Sequence, residues 1–421
     1  MTIKNKIENI SVKAKEASLK LLGVSESTKN EALLAMAKAL RKNKASILGS
    51  NKRDVYCAIK RGFDRAFIDR LSLNEKRIEQ MAVSLEEIAR LKSCVGEQIS
   101  LNKRPNGLLI KKVRVPIGLI CIIYESRPDV TSDCIGLCLK SSNALILRGG
   151  TEALNSNLAI FKILNKAMLE KGIPQDAYNV IDVIDRNAVK LLLNQTGVID
   201  LAMPRGGESL IKEVVKFARI PVIKHYKGIC HVYVDDDADL NMAENICFNA
   251  KCQRPGVCNA METLLVHEGV AARFLPGMAK RFIDAGVEIR TCERSFRILK
   301  KFKGIKKATQ KDWTSEYLDL IISIKVVDDL FSAIEHINNF GSHHSDSIIT
   351  DDKQRQEEFF KMVDSACLYA NASTRFTDGY QFGMGAEIGI STDKLHARGP
   401  MGIEELTTYK YTVYGNGQVR T

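Results

Sequence analysis

One short segment of the 421-residue chain concentrates groups with reactive chemistry: Cys252-Gln253-Arg254-Pro255-Gly256-Val257-Cys258-Asn259-Ala260. A helical run stops at Pro255 and Gly256 just before a strand-like run, which puts Cys258 on a loop rather than on a packed helix face. The thiolate is the nucleophile in covalent carbonyl chemistry, and a nearby cation lowers a thiol's pKa from about 8.5. Lys251 and Arg254 are placed along the chain to act in that way. Most cysteines are small buried hydrophobes, so the residue type alone does not decide the matter. The chain has no Cys-x-x-Cys and no His-x-x-x-His spacing, and no metal site is expected. A Gly-x-Gly-x-x-Gly dinucleotide turn is missing too. Its near match, residues 383–389, has the wrong last spacing and reads as a backbone-permissive loop.

The elements that must position such a loop are legible as changes of period. Residues 3–95 carry helical spacing, as in Leu33, Leu34, Met36, Ala37 and Leu40. A hairpin follows, residues 98–101 and 107–115 flanking Pro105-Asn106-Gly107. From 118 to 226 short apolar strands (119–124, 144–147, 179–184, 199–203, 221–225) alternate with amphipathic helices. That alternation implies a parallel sheet covered on both faces, with ligands bound beyond the carboxyl ends of its strands. A second αβ series runs from 240 to 371, with strands at 263–267, 287–291, 318–327, 347–350 and 366–370. The tail, 406–419, alternates again through Tyr409, Tyr411 and Val413, which suits an exposed strand pairing with the hairpin or with another subunit.

Composition narrows the class. The length predicts two or three domains, and 45% hydrophobic with 27% charged residues describes a packed globular protein. The formal net charge of +12 comes from basic residues interleaved with acidic ones, so no nucleic-acid footprint is expected, although such a field steers small anions. The longest apolar stretch, 115–124, is too short for a membrane span and contains Pro116 and Gly118. The first residues lack the apolar core of a secretory signal, and the cysteines are scattered through apolar segments as reduced thiols are. A cytoplasmic location is expected.

Four blocks, in order along the chain, resemble the gamma-glutamyl phosphate reductase family of the aldehyde dehydrogenase superfamily. They are Tyr124-Glu125-Ser126-Arg127-Pro128-Asp129-Val130-Thr131, Met203-Pro204-Arg205-Gly206-Gly207, Arg254-Pro255-Gly256-Val257-Cys258-Asn259-Ala260-Met261-Glu262, and residues 383–408 with Lys394-Leu395-His396-Ala397-Arg398-Gly399-Pro400-Met401-Gly402. The resemblance implies an α/β fold of aldehyde dehydrogenase type: a parallel-sheet cofactor domain (1–99, 116–228 and 372–396), an α/β catalytic domain (229–371) and a small β oligomerisation arm (100–115 and 397–421). The sheet edges that the hairpin near Pro105 and the strand 409–414 would otherwise leave bare predict a homo-oligomer, at least a dimer, and the glutamate kinase that makes the labile substrate is an expected partner. The resemblance implies a small-molecule reaction: NADPH-dependent reduction of L-glutamyl gamma-phosphate to the semialdehyde through a thioester on Cys258, toward proline.

The resemblance assigns Cys258, Ser126 and Asn259 to catalysis, Ser126 standing where the wider superfamily has an oxyanion-binding asparagine. It assigns the cofactor to Arg148, Gly149, Gly150 and Thr151, to Arg205, Gly206, Gly207 and Glu208, and to Glu316 at the nicotinamide ribose. Glycines that let backbone approach and helix amides that attract a pyrophosphate agree with the two turns. Thr151 aligns with the glutamate by which NAD-preferring relatives repel the extra phosphate of NADP, which favours NADPH. Arg127 and Arg398 are the expected anchors for substrate anions. The superfamily's water-activating glutamate has as its counterpart His225-Tyr226-Lys227-Gly228, which carries no carboxylate. Release to phosphate rather than to water is therefore expected. His225, beside Lys224 and Lys227, reads as part of an anion-attracting strand end. A water-dependent semialdehyde dehydrogenase is the alternative; a non-catalytic relative and a nucleic-acid binder fit less well.

Overall fold

The computed structural model describes residues 2–224 and 227–420. It divides into two compact units, one of Met1–Lys224, Gly383–Gly389 and Met401–Thr421, the other of His225–Phe382 and Ile390–Pro400. The expected cofactor domain ran to 228 and took in 372–396. The compact units instead part after Lys224, and residues up to 382 and 390–400 go with the second unit.

Five helices open the first unit: α1 (Ile3–Leu21), α2 (Glu26–Lys42), α3 (Lys44–Lys60), α4 (Arg65–Leu71) and α5 (Glu75–Arg90). Thr2, Ser25, Asp64 and Asn74 start four of them, each side chain accepting from the amide three residues on. Leu33, Met36, Ala37 and Leu40 line one face of α2 and are fully buried, as their spacing predicts. Strands β1 (Gln98–Lys103) and β2 (Leu109–Pro116) form the antiparallel hairpin, closed where the Gly107 amide donates to the Arg104 carbonyl at 2.9 Å.

Then comes the ladder: β3 (Leu119–Tyr124), α6 (Asp129–Lys140), β4 (Ala144–Gly149), α7 (Leu154–Glu170), β5 (Tyr178–Val180), α8 (Asn187–Leu193), β6 (Leu201–Arg205) and α9 (Glu208–Phe217). The sheet is parallel, in the order β5-β4-β3-β6. Every residue of β3 and β4 is buried, as the apolar runs 119–124 and 144–147 require, and Arg148 at the end of β4 is buried with them. Of the strand expected at 221–225, whose last residue lies outside the described ones, the described residues keep one bridge, Val222 to Ala202, next to a proline that has no amide to donate.

The second unit contains β7 (Cys230–Val234), α10 (Leu240–Cys252), β8 (Met261–His267), α11 (Glu268–Asp284), β9 (Glu288–Thr291), α12 (Glu293–Leu299), β10 (Lys306–Lys307), β11 (Ile321–Val327), α13 (Leu330–Phe340), β12 (Ser345–Ile349), α14 (Lys353–Met362) and β13 (Cys367–Ala370). Seven parallel strands run in the order β10-β9-β11-β8-β7-β12-β13. Val232, Leu264, Phe274 and Ile324 belong to one buried cluster and Tyr233, Leu265, Ile348 and Phe359 to another, so successive residues of β7 and β8 serve opposite faces. β7 is not legible in the sequence. Its His231 interrupts an apolar run, and only the fold supplies the partner, Asp346 on β12, whose Oδ1 lies 2.8 Å from Nδ1 with both side chains fully buried.

Short strands β14 (Gly389–Ser391) and β15 (Gly399–Met401) lead to β16 (Thr407–Tyr414), which pairs antiparallel with β2 from Thr407 opposite Pro116 to Tyr414 opposite Leu109. The tail therefore adds to the hairpin of its own chain and makes a three-stranded sheet in the order β1-β2-β16. Among the described residues no helix is long and apolar enough to cross a membrane.

Candidate active site

Cys258 lies, half-buried, on the turn between α10 and β8. That turn is braced from three sides within the second unit. Gly228 lies so close beneath it that a Cβ there would stand 1.8 Å from the Cys258 carbonyl oxygen, a position only glycine can fill. The buried Cys230 thiol donates to the same carbonyl at 3.2 Å, and its burial pushes its pKa far above the ordinary thiol value. On the third side, Asn259 donates through Nδ2 to the Thr377 carbonyl at 2.7 Å, and its own carbonyl accepts from the Thr374 hydroxyl at 2.8 Å. Asn259 Oδ1 accepts from Arg375 Nη1. The amide of Asn259 is thus engaged at both ends in holding the turn.

Lys251 is not the cation that acts on Cys258. Its ammonium is fully buried and sits 2.7 Å from Glu262 Oε2, itself fully buried on β8, because a charge taken out of water is kept only beside an opposite one. Burial raises the Glu262 carboxyl to about 7 against the lowering effect of Lys251. The other Glu262 oxygen accepts from the Leu318 amide at 3.2 Å, where the backbone has a φ of 53°. Two residues earlier, Glu316 Oε1 accepts from the Gly228 amide at 2.9 Å. Glu316 and the Cys258 turn therefore share one support, Gly228.

Besides Arg254, which lies exposed on the Cys258 turn, the cation tied to that turn is Arg375, which the sequence does not mark. Its Nε donates to Gln253 Oε1 at 2.9 Å and its Nη1 to Asn259. Burial, and then repulsion from Arg254, lower its pKa, while Asp378 and the Cys258 sulfur act the other way. Nothing near residue 375 in the sequence marks it, since its partners are more than a hundred positions away.

In the first unit the expected cofactor residues stand at the carboxyl ends of β4 and β6. A Cβ on Gly149 would lie 2.2 Å from Asn157 Nδ2, and one on Gly150 2.9 Å from Ser126 Oγ, so this turn is packed to backbone thickness at both glycines. Arg148 is buried; it donates to the carbonyls of Gly149 and of Ile184, and its Nε has no hydrogen-bond partner among the described residues. Burial lowers its pKa. A buried guanidinium with an unused donor beside a glycine cradle fits a phosphate-bearing cofactor. Thr151 begins a short 3-10 turn ahead of α7, and the Glu152 carboxylate beside it is 3.7 Å from Arg61.

The second turn differs. The Gly207 amide ahead of Glu208 and α9 donates to the Glu125 carboxylate at 3.1 Å, and the Glu125 amide donates to the Arg205 carbonyl at 2.9 Å. The anion that a helix N-terminus attracts is supplied there by the protein itself, and a Cβ on Gly206 would lie 2.6 Å from Glu125 Cδ.

Ser126 is buried and Arg127 exposed on the β3–α6 turn, in the first unit; Arg398 belongs to the second. Arg398 Nη2 donates to the Asp364 carboxylate at 2.8 Å and to its carbonyl at 3.1 Å, and Lys394 reaches the same carboxylate at 2.7 Å. The charge expected to anchor substrate is thereby met by a carboxylate of the protein, held low by both cations. Within residues 383–389 both Gly383 and Gly385 have positive φ, as a backbone-permissive loop does. Of the segment expected to stand in for the water-activating glutamate, His225 and Tyr226 lie outside the described residues.

Comparison with known proteins adds breadth to this geometry. The aldehyde dehydrogenase family model matches residues 3–289. The chain is 52% identical, over 420 residues and all of both chains, to the gamma-glutamyl phosphate reductase of Thermodesulfovibrio yellowstonii. The crystal structure of gamma-glutamyl phosphate reductase from Thermotoga maritima superposes with a TM-score of 0.95 at 46% identity, covering 99% of this chain and 100% of that one. At 14% identity and a TM-score of 0.69, covering 98% of this chain and 95% of that one, glyceraldehyde-3-phosphate dehydrogenase from Methanocaldococcus jannaschii, complexed with NADP, shares the fold.

Proposed function

Because the chain belongs to the gamma-glutamyl phosphate reductases of the aldehyde dehydrogenase family, we propose that it reduces L-glutamyl gamma-phosphate to glutamate gamma-semialdehyde and phosphate, a step of proline biosynthesis. The observation that carries this reading is the end-to-end likeness to enzymes of that name, within which Cys258 stands on a rigid, half-buried turn.

In this reading Cys258 attacks the acyl carbon, the carbon–oxygen bond to the phosphoryl group breaks, and phosphate leaves with the electron pair. The result is a thioester on Cys258. The family uses a nicotinamide cofactor, which supplies the hydride when bound. Collapse of the resulting thiohemiacetal breaks the carbon–sulfur bond, frees the aldehyde and returns the thiol. Gly228 and Cys230 keep the Cys258 backbone from shifting while its side chain changes partners. Ser126 and the Cys258 amide are assigned to the developing oxyanion.

Residues 148–151 and 205–208 together with Glu316 are assigned to the cofactor, and the preference to NADPH. Arg61 and Arg148 support that preference by offsetting the Glu152 carboxylate next to the turn. Arg127 and Arg398 are retained as substrate-facing residues, with Arg398 the weaker because Asp364 already holds it. The hairpin strand β1, exposed along its length, leaves an edge open, which supports a homodimer or larger assembly through this arm. A kinase that hands over the labile acyl phosphate is the partner this chemistry favours. Eleven free thiols support a reducing, cytoplasmic setting.

Run backwards, the enzyme forms the thioester from semialdehyde and NADP and must pass it to phosphate. Reduction of NADP in the presence of the semialdehyde is therefore expected to require phosphate or arsenate, followed at the NADPH absorbance. Comparable rates in buffer free of both would move the function to a water-dependent dehydrogenase.

A further inference from the structure

We propose that Arg375 and Arg254 form the subsite that receives the substrate's phosphoryl group and, in the reverse direction, inorganic phosphate; this rests on the acyl-phosphate reading above. Arg375 is tied to the nucleophile's own turn at two points, through Nε to Gln253 and through Nη1 to Asn259, the residue after Cys258. Both bonds end on neutral amide oxygens, which fix the guanidinium without cancelling its charge. Arg254 lies exposed on the same turn, and its charge and Arg375's repel.

Three other cations of the second unit are matched by carboxylates. Lys251 sits on Glu262, and Arg398 and Lys394 on Asp364. An arrangement that holds two like charges together at a half-buried place is relieved by an anion arriving between them. In an acyl phosphate the phosphorus is one oxygen away from the carbon that Cys258 attacks. The alpha-carboxylate is separated from that carbon by the whole glutamyl side chain. Cations mounted on the nucleophile's turn therefore address the phosphoryl group, and by stabilising phosphate as it leaves they favour carbon–oxygen cleavage. In reverse, a phosphate oxygen bonds to the thioester carbon, the carbon–sulfur bond breaks, and Cys258 departs as thiolate.

The test uses the oxidative direction, where the two half-reactions separate. With semialdehyde and NADP, the full-length enzyme should give a rapid burst of NADPH as the thioester forms, then steady turnover that saturates with inorganic phosphate. In Arg254→Gln and Arg375→Lys the burst should persist, and the KM for phosphate should rise about 10- to 100-fold, the range of a lost charge-assisted contact. The KM for semialdehyde should stay within about threefold.

A purely structural role for Arg375 would lower the burst and the melting temperature and leave the phosphate KM unchanged, which overturns the proposal. Equal phosphate KM in Arg254→Gln, an exposed change that does not disturb packing, overturns it as well. A raised KM for semialdehyde alone would reassign the pair to the carboxylate and count against it. If instead the unaltered enzyme turned over without phosphate, the acyl-phosphate reading itself would fail, an outcome distinct from all of these.

Discussion

The two parallel sheets are built from different material. In the four-stranded sheet the β3 run is apolar throughout and the β4 run stays apolar until Arg148 at its end. The residues assigned to the cofactor begin at the last positions of β4 and β6. In the seven-stranded sheet the strands themselves carry buried polar groups: His231, Thr263, Ser323, Ser345, Asp346 and Ser347 are all fully buried. The first arrangement presents backbone turns beyond strand ends, where shape and amides suffice. In the second, Ser345 reaches the brace of the Cys258 turn: its hydroxyl lies 2.7 Å from that of Thr377, whose carbonyl accepts from Asn259. The glycine turns are thus packed by exclusion of side chains, and the Cys258 turn is held by hydrogen bonds to them.

The largest expected effect comes from the thiol on that hydrogen-bonded turn. Cys258→Ala should lower turnover by about 10⁴-fold or more, as loss of a nucleophile does, while cofactor affinity measured by fluorescence titration stays near its original value. A variant that kept turnover would end the assignment and, with it, the functional side of that contrast between turns.

Next in size is the buried ion pair. Lys251→Met leaves the Glu262 carboxylate buried and unpaired and should cost about 3–5 kcal/mol in chemical denaturation. The double variant with Glu262→Leu should recover most of that loss. Failure of the second change to recover stability would mean that Glu262 acts mainly through the Leu318 amide.

A smaller effect is expected from acid. Full burial lowers the His344 pKa from 6.5 to about 4, with Asp346 opposing. Between those values the unfolded chain binds a proton that the folded one does not, so this contribution is complete above pH 6.5 and is lost as pH falls toward 4. It amounts to about 3 kcal/mol. The melting temperature of the unaltered chain should therefore fall more steeply than that of His344→Phe as pH drops from 7 to 4.5; parallel curves would show that His344 titrates as if exposed.

The smallest effect probes whether the first unit contributes to the chemistry as well as to the cradle. Ser126→Ala should slow turnover about 100-fold if its hydroxyl serves the oxyanion. A change of less than a few-fold, with altered cofactor KM, would leave Ser126 as packing beside Gly150.

Much of this was written locally. The helical lead-in, the hairpin at Gly107, the apolar β3 and β4 and the loop position of Cys258 all follow from period, turn residues and breakers, which act over a few positions of chain. The reductase family was readable from motifs that keep their order. What sequence could not supply were pairings across long separations. β7 was passed over because His231 looks polar until Asp346 is beside it. Lys251 was read as a neighbour of Cys258 because they are close in sequence; a helix end turned it inward to Glu262. Arg375 was unmarked because its partners, Gln253 and Asn259, are brought to it only by the sheet. Residue types and short-range order determined the elements and the reactive group. Tertiary structure decided which charges are cancelled and which remain available, because that depends on burial and on partners the chain order does not reveal.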